Sequence, residues 1–170
     1  MPTLYLMMGY PGAGKTTTAQ TLHDLTGAEH LWADKIRQEM FGQPTHGMDE
    51  NLQLYEHINQ EADRLLSEGK SVIFDTNFNF YKDRQKLRAI AAKHQAETVL
   101  LWVQAPKDLA KQRATKDAEH QASRIFGNMS DEVFERLSNH LEEPHEDEHP
   151  ITVDGTKVSK DYLSSLLFKK

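Results

Sequence analysis

Two glycines, a lysine and a threonine hold the fixed positions of the pattern G-x-x-x-x-G-K-[ST] in Gly9-Tyr10-Pro11-Gly12-Ala13-Gly14-Lys15-Thr16, with a third glycine, Gly12, between them. Each residue type has a use on a phosphate chain. Glycines let the backbone wrap a phosphate without a clashing side chain and turn its amides inward. A helix starting at the end of the run adds partial positive charge. Lys15 can reach the terminal phosphates, and the Thr16 hydroxyl can ligate Mg2+. The whole run, with the adjoining Thr17, is therefore expected to bind a nucleoside triphosphate with Mg2+. A chance glycine-rich turn is the alternative, and the flanks argue against it. Leu4-Tyr5-Leu6-Met7-Met8 reads as a buried strand entering the loop, and Thr16–Leu25, with Ala19, Leu22 and Leu25 at helical spacing, reads as the helix leaving it.

A second block, Val72-Ile73-Phe74-Asp75, is an apolar strand pattern ending in an acid, the form in which an aspartate holds Mg2+ directly or through water. Thr16 and Asp75 are thus the expected metal-holding pair. In the polar cluster that follows, Thr76-Asn77-Phe78-Asn79, Asn77 and Asn79 suit a helix cap and a substrate contact equally well. Asp34 and Arg37 form a third constellation, their i, i+3 spacing placing both on one side of a helix's first turn. One reading is a surface ion pair with a cap, worth little. The other has Asp34 accept a proton from an acceptor hydroxyl while Arg37 clamps a phosphate or orients the acceptor. Spacing alone leaves both open.

Between Pro106 and Ser130 lie Lys111, Arg113, Lys116 and Arg124. A positive flap over a triphosphate would stabilise developing charge and exclude water. Lys111 and Lys116 read as a solvated face, whereas Arg113 and Arg124 carry the fork that binds phosphate oxygens two at a time. The run Glu142-Glu143-Pro144-His145-Glu146-Asp147-Glu148-His149 has metal-ligating residue types. Bracketed by Pro144 and Pro150, it lacks rigid ligand spacing and reads as a solvated acidic loop.

These residues need a scaffold. Strand patterns fall at Leu4–Met8, Glu29–Ala33, Ser71–Asp75, Thr98–Gln104 and Ile151–Val153. Helical patterns fall at Thr16–Leu25, Lys35–Phe41, Asn51–Ser67, Lys82–His94, Lys107–Asp117, Asp131–Leu141 and Lys160–Phe168. The longest carries Tyr55, Ile58, Ala62 and Leu65 on one face and stops at Gly69. Pro106 suits the first turn of its helix and Ser130 an N-cap. Short strands, apolar on both sides and separated by crossover-length segments, predict an α/β fold with a parallel sheet covered on both faces. Ligands in such sheets sit beyond the strand carboxyl ends, where the glycine run, Asp34 and Asp75 all fall.

The length of 170 residues suits a single domain, 1–170, with a lid at about 107–130. No basic leader followed by an apolar run and no membrane-length apolar segment is visible, and cysteine is absent; together these agree with a cytoplasmic location. A net charge of −6 argues against a duplex-binding surface, leaving nucleic acid the less favoured partner. Thr115-Lys116-Asp117 has its acid one place too early for a guanine signature, so a guanine-nucleotide switch is not expected.

Taken together, the glycine run, Asp34-x-x-Arg37 and the block from Val72 to Asn79 resemble small P-loop kinases related to the 5′-hydroxyl kinase domain of phage polynucleotide kinase and to zeta toxin. The resemblance runs from the first strand to about Arg113 and more weakly beyond. It implies a P-loop three-layer α/β/α sandwich, a five-stranded parallel sheet in the order 2-3-1-4-5 and a helical lid. It further implies that Asp34 is the acceptor-side base, that Arg37 contacts the acceptor or its phosphate, and that Lys15 with a lid arginine, Arg113, neutralises the transferring phosphoryl. The relatives carry a second arginine four residues beyond the position of Arg113, where this chain has Asp117; Arg124 is the candidate replacement. The expected activity is transfer of the ATP γ-phosphate to a hydroxyl of a small-molecule or nucleotide-like acceptor. The alternatives are a 5′-hydroxyl polynucleotide kinase, a zeta-like toxin acting on an amino sugar nucleotide, and a slow nucleotide-dependent switch with no acceptor.

Overall fold

The computed structural model describes residues 1–77, 80–121 and 123–169, so Asn79 lies outside the described residues. Five strands, β1 (Thr3–Met8), β2 (Glu29–Trp32), β3 (Val72–Asp75), β4 (Glu97–Gln104) and β5 (Ile151–Asp154), form one all-parallel sheet in the order β2-β3-β1-β4-β5. Helices α1 (Lys15–Thr26), α2 (Ala33–Phe41), α3 (Met48–Ser67), α4 (Tyr81–Lys93), α5 (Lys107–Thr115), α6 (Asp131–Asn139) and α7 (Lys160–Leu167) fill the connections. The sheet, its order and its helical layers agree with the expected fold class.

The pleat divides β1 between two cores. Leu4, Leu6 and Met8 face one layer, packing with Phe74, with Leu54, Ile58, Ala62 and Leu65 of α3 and with Leu87 and Ala91 of α4. Tyr5 and Met7 face the other, against Ala19 and Leu22 of α1, Val153 of β5 and Leu163 of α7. Both faces are covered, which is why the strands read as continuous apolar runs. A third, smaller cluster of Ala110, Ala114 and Phe134 joins α5 to α6.

Element bounds shift slightly from the sequence pattern. Helix α2 begins at Ala33 rather than Lys35, and α3 at Met48 rather than Asn51; both draw acids into their first turns, Asp34 in one and Asp49 with Glu50 in the other, where they meet the positive helix end. Ser130 caps α6 as expected, its hydroxyl accepting the Val133 N–H. One expectation is corrected in part. The Glu142–His149 segment is largely exposed, as expected, but it is also anchored: Glu148 is buried against the fully buried Arg84 of α4, with Nε to Oε1 at 2.6 Å and Nη2 to Oε2 at 3.1 Å. The His145 ring stacks on Tyr81, with centroids 3.7 Å apart, and Asp147 pairs with Arg88 at 2.9 Å. The segment is thus a strap on α4, held by partners that lie about sixty residues away and that local charge patterning cannot reveal.

Candidate active site

The loop between β1 and α1 is shaped by close backbone approaches. Gly12 has φ +79, and a Cβ there would stand 2.1 Å from the Ala110 carbonyl oxygen of α5. Gly9, at φ +150, would collide in the same way with the Val103 carbonyl oxygen at 2.3 Å. Only glycine lets β4 and α5 press this near the loop. Lys15 opens α1 and folds back into the loop, donating from Nζ to the carbonyls of Gly9 and Tyr10 at 2.9 Å each. Burial pushes the Lys15 ammonium down to about 8, although Asp75 and Asp34 pull it up. Thr18, next on α1, gives its hydroxyl to the Gly14 carbonyl at 2.8 Å.

Asp75 ends β3 in register with Met7, one residue short of the strand end that leads into the loop. His30 of β2 reaches across, its Nε2 lying 2.9 Å from Asp75 Oδ2, and its ring stacks on Trp32. Asp34 follows β2 in the first turn of α2. Among the described residues, no hydrogen bond or ion pair engages its carboxylate. Burial, then the Asp75 charge, raise its affinity for a proton above the ordinary value, opposed by Arg124, Arg37 and His46. Lys15, Asp34, Asp75 and Arg124 thus stand close enough to bias one another's charge. Burial lowers Arg124, and Asp34 opposes that shift.

The expected residues separate by partner. Arg113, near the end of α5, leans on the loop itself, with Nη1 3.4 Å from the carbonyl oxygens of Gly12 and Gly155. Arg124 acts on Asp34 through its charge instead, while its Nη2 donates to the Gly127 carbonyl. Arg37 does not pair with Asp34; its guanidinium is given to Glu50 of α3 and, at 2.7 Å, to Asn51 Oδ1. Asn77 is exposed at the end of β3, beside the buried Thr76. Lys111 is taken by Glu135 of α6 at 3.1 Å, so it joins α5 to α6. Four further residues at the site carry no motif: His30, Glu50, His46 and Gly155. Gly155 alone left a trace, as a glycine just after a strand end, where close backbone approach is common.

For a metal, the residues at hand are the Thr16 hydroxyl and the Asp75 carboxylate, hard oxygen donors of the kind Mg2+ takes. His30 engages Oδ2 of Asp75, which leaves Oδ1 for an ion or its water. The donor set fits. Among the described residues, no group of three or more His, Cys, Asp and Glu side chains is disposed to hold a metal.

A parallel sheet with a glycine loop, a buried lysine and a helix N-terminus beyond its strand ends defines the P-loop nucleotide-binding fold. The chain belongs to the AAA domain family, whose model matches residues 4–156. Solved structures share the fold. A provisionally assigned kinase from Chloroflexus aurantiacus aligns with TM-score 0.74 at 19% identity, covering 96% of this chain and 95% of that one. A sugar kinase from Janibacter sp. aligns at 0.68 and 21%, covering 98% and 95%. A gluconokinase from Sinorhizobium meliloti aligns at 0.68 and 18%, covering 98% and 90%. A search of curated proteins finds no match. Among the described residues, no helix is long and apolar enough to cross a membrane.

Proposed function

We propose that the chain is an ATP-dependent phosphotransferase acting on a hydroxyl of a small-molecule acceptor. The observation that carries this reading is the cluster of Lys15, Asp34, Asp75 and Arg124 at the carboxyl edge of the sheet, where, among the described residues, the Asp34 carboxylate has no hydrogen-bond or ion-pair partner and its charge acts on Lys15. Gly9 to Thr17 cradle the triphosphate, and Lys15 exchanges its carbonyl partners for phosphate oxygens. Asp34 takes the proton of the acceptor hydroxyl as that oxygen attacks the γ-phosphorus, and ADP leaves. A carboxylate whose proton affinity is raised is the better base for this task. Thr16 and Asp75 would hold Mg2+, which neutralises phosphate charge when bound. Arg113 serves the nucleotide side and Arg124 the acceptor side, while Arg37 holds the acceptor-side wall through Glu50 and Asn51. Residues 107–130 act as the lid.

A small molecule is preferred to a polynucleotide because the net charge is −6 and because the sugar kinase and gluconokinase share this fold. The test is a transfer screen with γ-labelled ATP over sugars, sugar acids, nucleosides and a 5′-hydroxyl oligonucleotide. Label on a low-molecular-weight hydroxyl compound, lost in Asp34→Asn, supports the reading. Label on the oligonucleotide alone replaces the acceptor class, and release of free phosphate alone in every reaction overturns transfer.

A further inference from the structure

The segment between α2 and α3 is more tightly built than a connecting loop requires. Glu50, buried in the first turn of α3, accepts the N–H of Thr45 with Oε1 and the N–H of His46 with Oε2, each at 2.8 Å, and also takes the Arg37 guanidinium. These bonds hold His46 at φ +57, the left-handed region that non-glycine residues rarely occupy. Strained backbone of this kind persists where the surroundings over-determine it. The consequence is the direction of the His46 ring. It meets the Phe126 ring edge-on, with centroids 5.0 Å apart and planes at 88°, a favoured aromatic arrangement.

Phe126 sits on the opposite wall, in the segment joining α5 to α6. Its turn is closed on itself: Arg124 donates from Nη2 to the Gly127 carbonyl at 3.0 Å, with Gly127 at φ +73. The base of the turn is tied by Asn128, whose Oδ1 accepts the Ala118 N–H at 2.9 Å, and by Met129, whose N–H reaches the Ala114 carbonyl at 3.0 Å. The two segments touch through this pair of rings, and Arg124, two residues before Phe126, lies near enough to Asp34 for their charges to act on each other.

We propose that His46 and Phe126 form a latch that holds Arg124 over Asp34 and closes the acceptor side of the cleft. His46 is then a positioning residue, and the buried Arg37–Glu50 pair is the anchor that aims it. The role in transfer rests on the kinase reading; the latch itself does not. An acceptor phosphorylated beneath it is enclosed by residues 45–47 on one side and the lid turn on the other, which suits a small molecule and requires the latch to open for entry.

Hydrogen exchange on the full chain without nucleotide tests this. In His46→Ala, the amides of Ala118, Gln121, Arg124 and Met129 across the cleft should exchange several-fold faster. In Phe126→Ala, the amides of Thr45 and His46 should do so. The double variant should be no faster than the faster single at either place, since both remove one contact. His46→Asn, which tolerates the left-handed backbone, should still loosen the lid, separating the ring contact from backbone strain. Exchange that rises only in the mutated segment, or effects that add, overturns the latch. Absence of transfer from γ-labelled ATP would instead remove the kinase reading and leave the exchange result standing.

Discussion

Lys15 lies in a desolvated position, donating to the carbonyl oxygens of Gly9 and Tyr10, with its ammonium lowered to about 8, and in the proposed reaction it binds phosphate. Phosphate oxygens would raise it again, so binding takes up a proton where the free lysine is partly neutral. Affinity for a non-hydrolysable ATP analogue should therefore fall as pH rises through about 8. Calorimetry in two buffers of different ionisation enthalpy should record the uptake, and an affinity flat across that pH would contradict the assignment. Asp34 should behave differently. Asp34→Asn keeps shape and removes the proposed base, so binding of the analogue should stay within a few-fold while transfer falls by roughly 10²–10⁴. Lys15→Ala should lose binding itself. Equilibrium binding beside single-turnover transfer separates the two.

Helix α3 shows why an element and its buried face were readable and its connections were not. Ile58, Ala62 and Leu65 recur at helical spacing, and the core buries them as that period requires. Glu50 has no such signature; in sequence it is one more acid at a helix start. Its partners Arg37, Thr45 and His46 come from two elements whose meeting depends on tertiary packing. The motif Asp34-x-x-Arg37 was visible, whereas the guanidinium's commitment to Glu50 was decided thirteen residues away. Burial alone would raise Glu50's proton affinity, yet the N–H of Thr45, the Arg37 guanidinium and the N–H of His46 outweigh it and hold the carboxyl below its ordinary 4.5. The native state thus favours the ionised form, and the stability this gives is present above about pH 4.5 and lost as pH falls through the lower native value. Denaturant midpoints should drop less steeply in acid for Glu50→Gln than for the parent chain. The strap on α4 is a harsher case. Glu148→Ala leaves the fully buried Arg84 without its carboxylate, which should cost about 3–5 kcal/mol by equilibrium unfolding.

On the scale of the whole molecule, the order β2-β3-β1-β4-β5 puts the first strand at the centre, paired with strands that follow much later in the chain. Alternating strand and helix patterns made a covered parallel sheet legible from sequence, because each crossover must pack on a face. What they could not reveal was the contact beneath the phosphate loop. There Gly155, just past β5, donates to the Gln104 carbonyl at 2.6 Å, and a Cβ on it would stand 1.8 Å from the Ala13 carbonyl oxygen. Gly155→Ala should therefore weaken ATP-analogue binding and lower the unfolding midpoint together, as paired titrations would record. The same contact has a meaning for synthesis. The motif at residues 9–16 is braced by backbone at Gly155, which is synthesised much later. Nascent chains halted before β5 should carry the entire signature and yet fail to retain the nucleotide in filter binding. Nucleotide occupancy would then report that synthesis has passed β5.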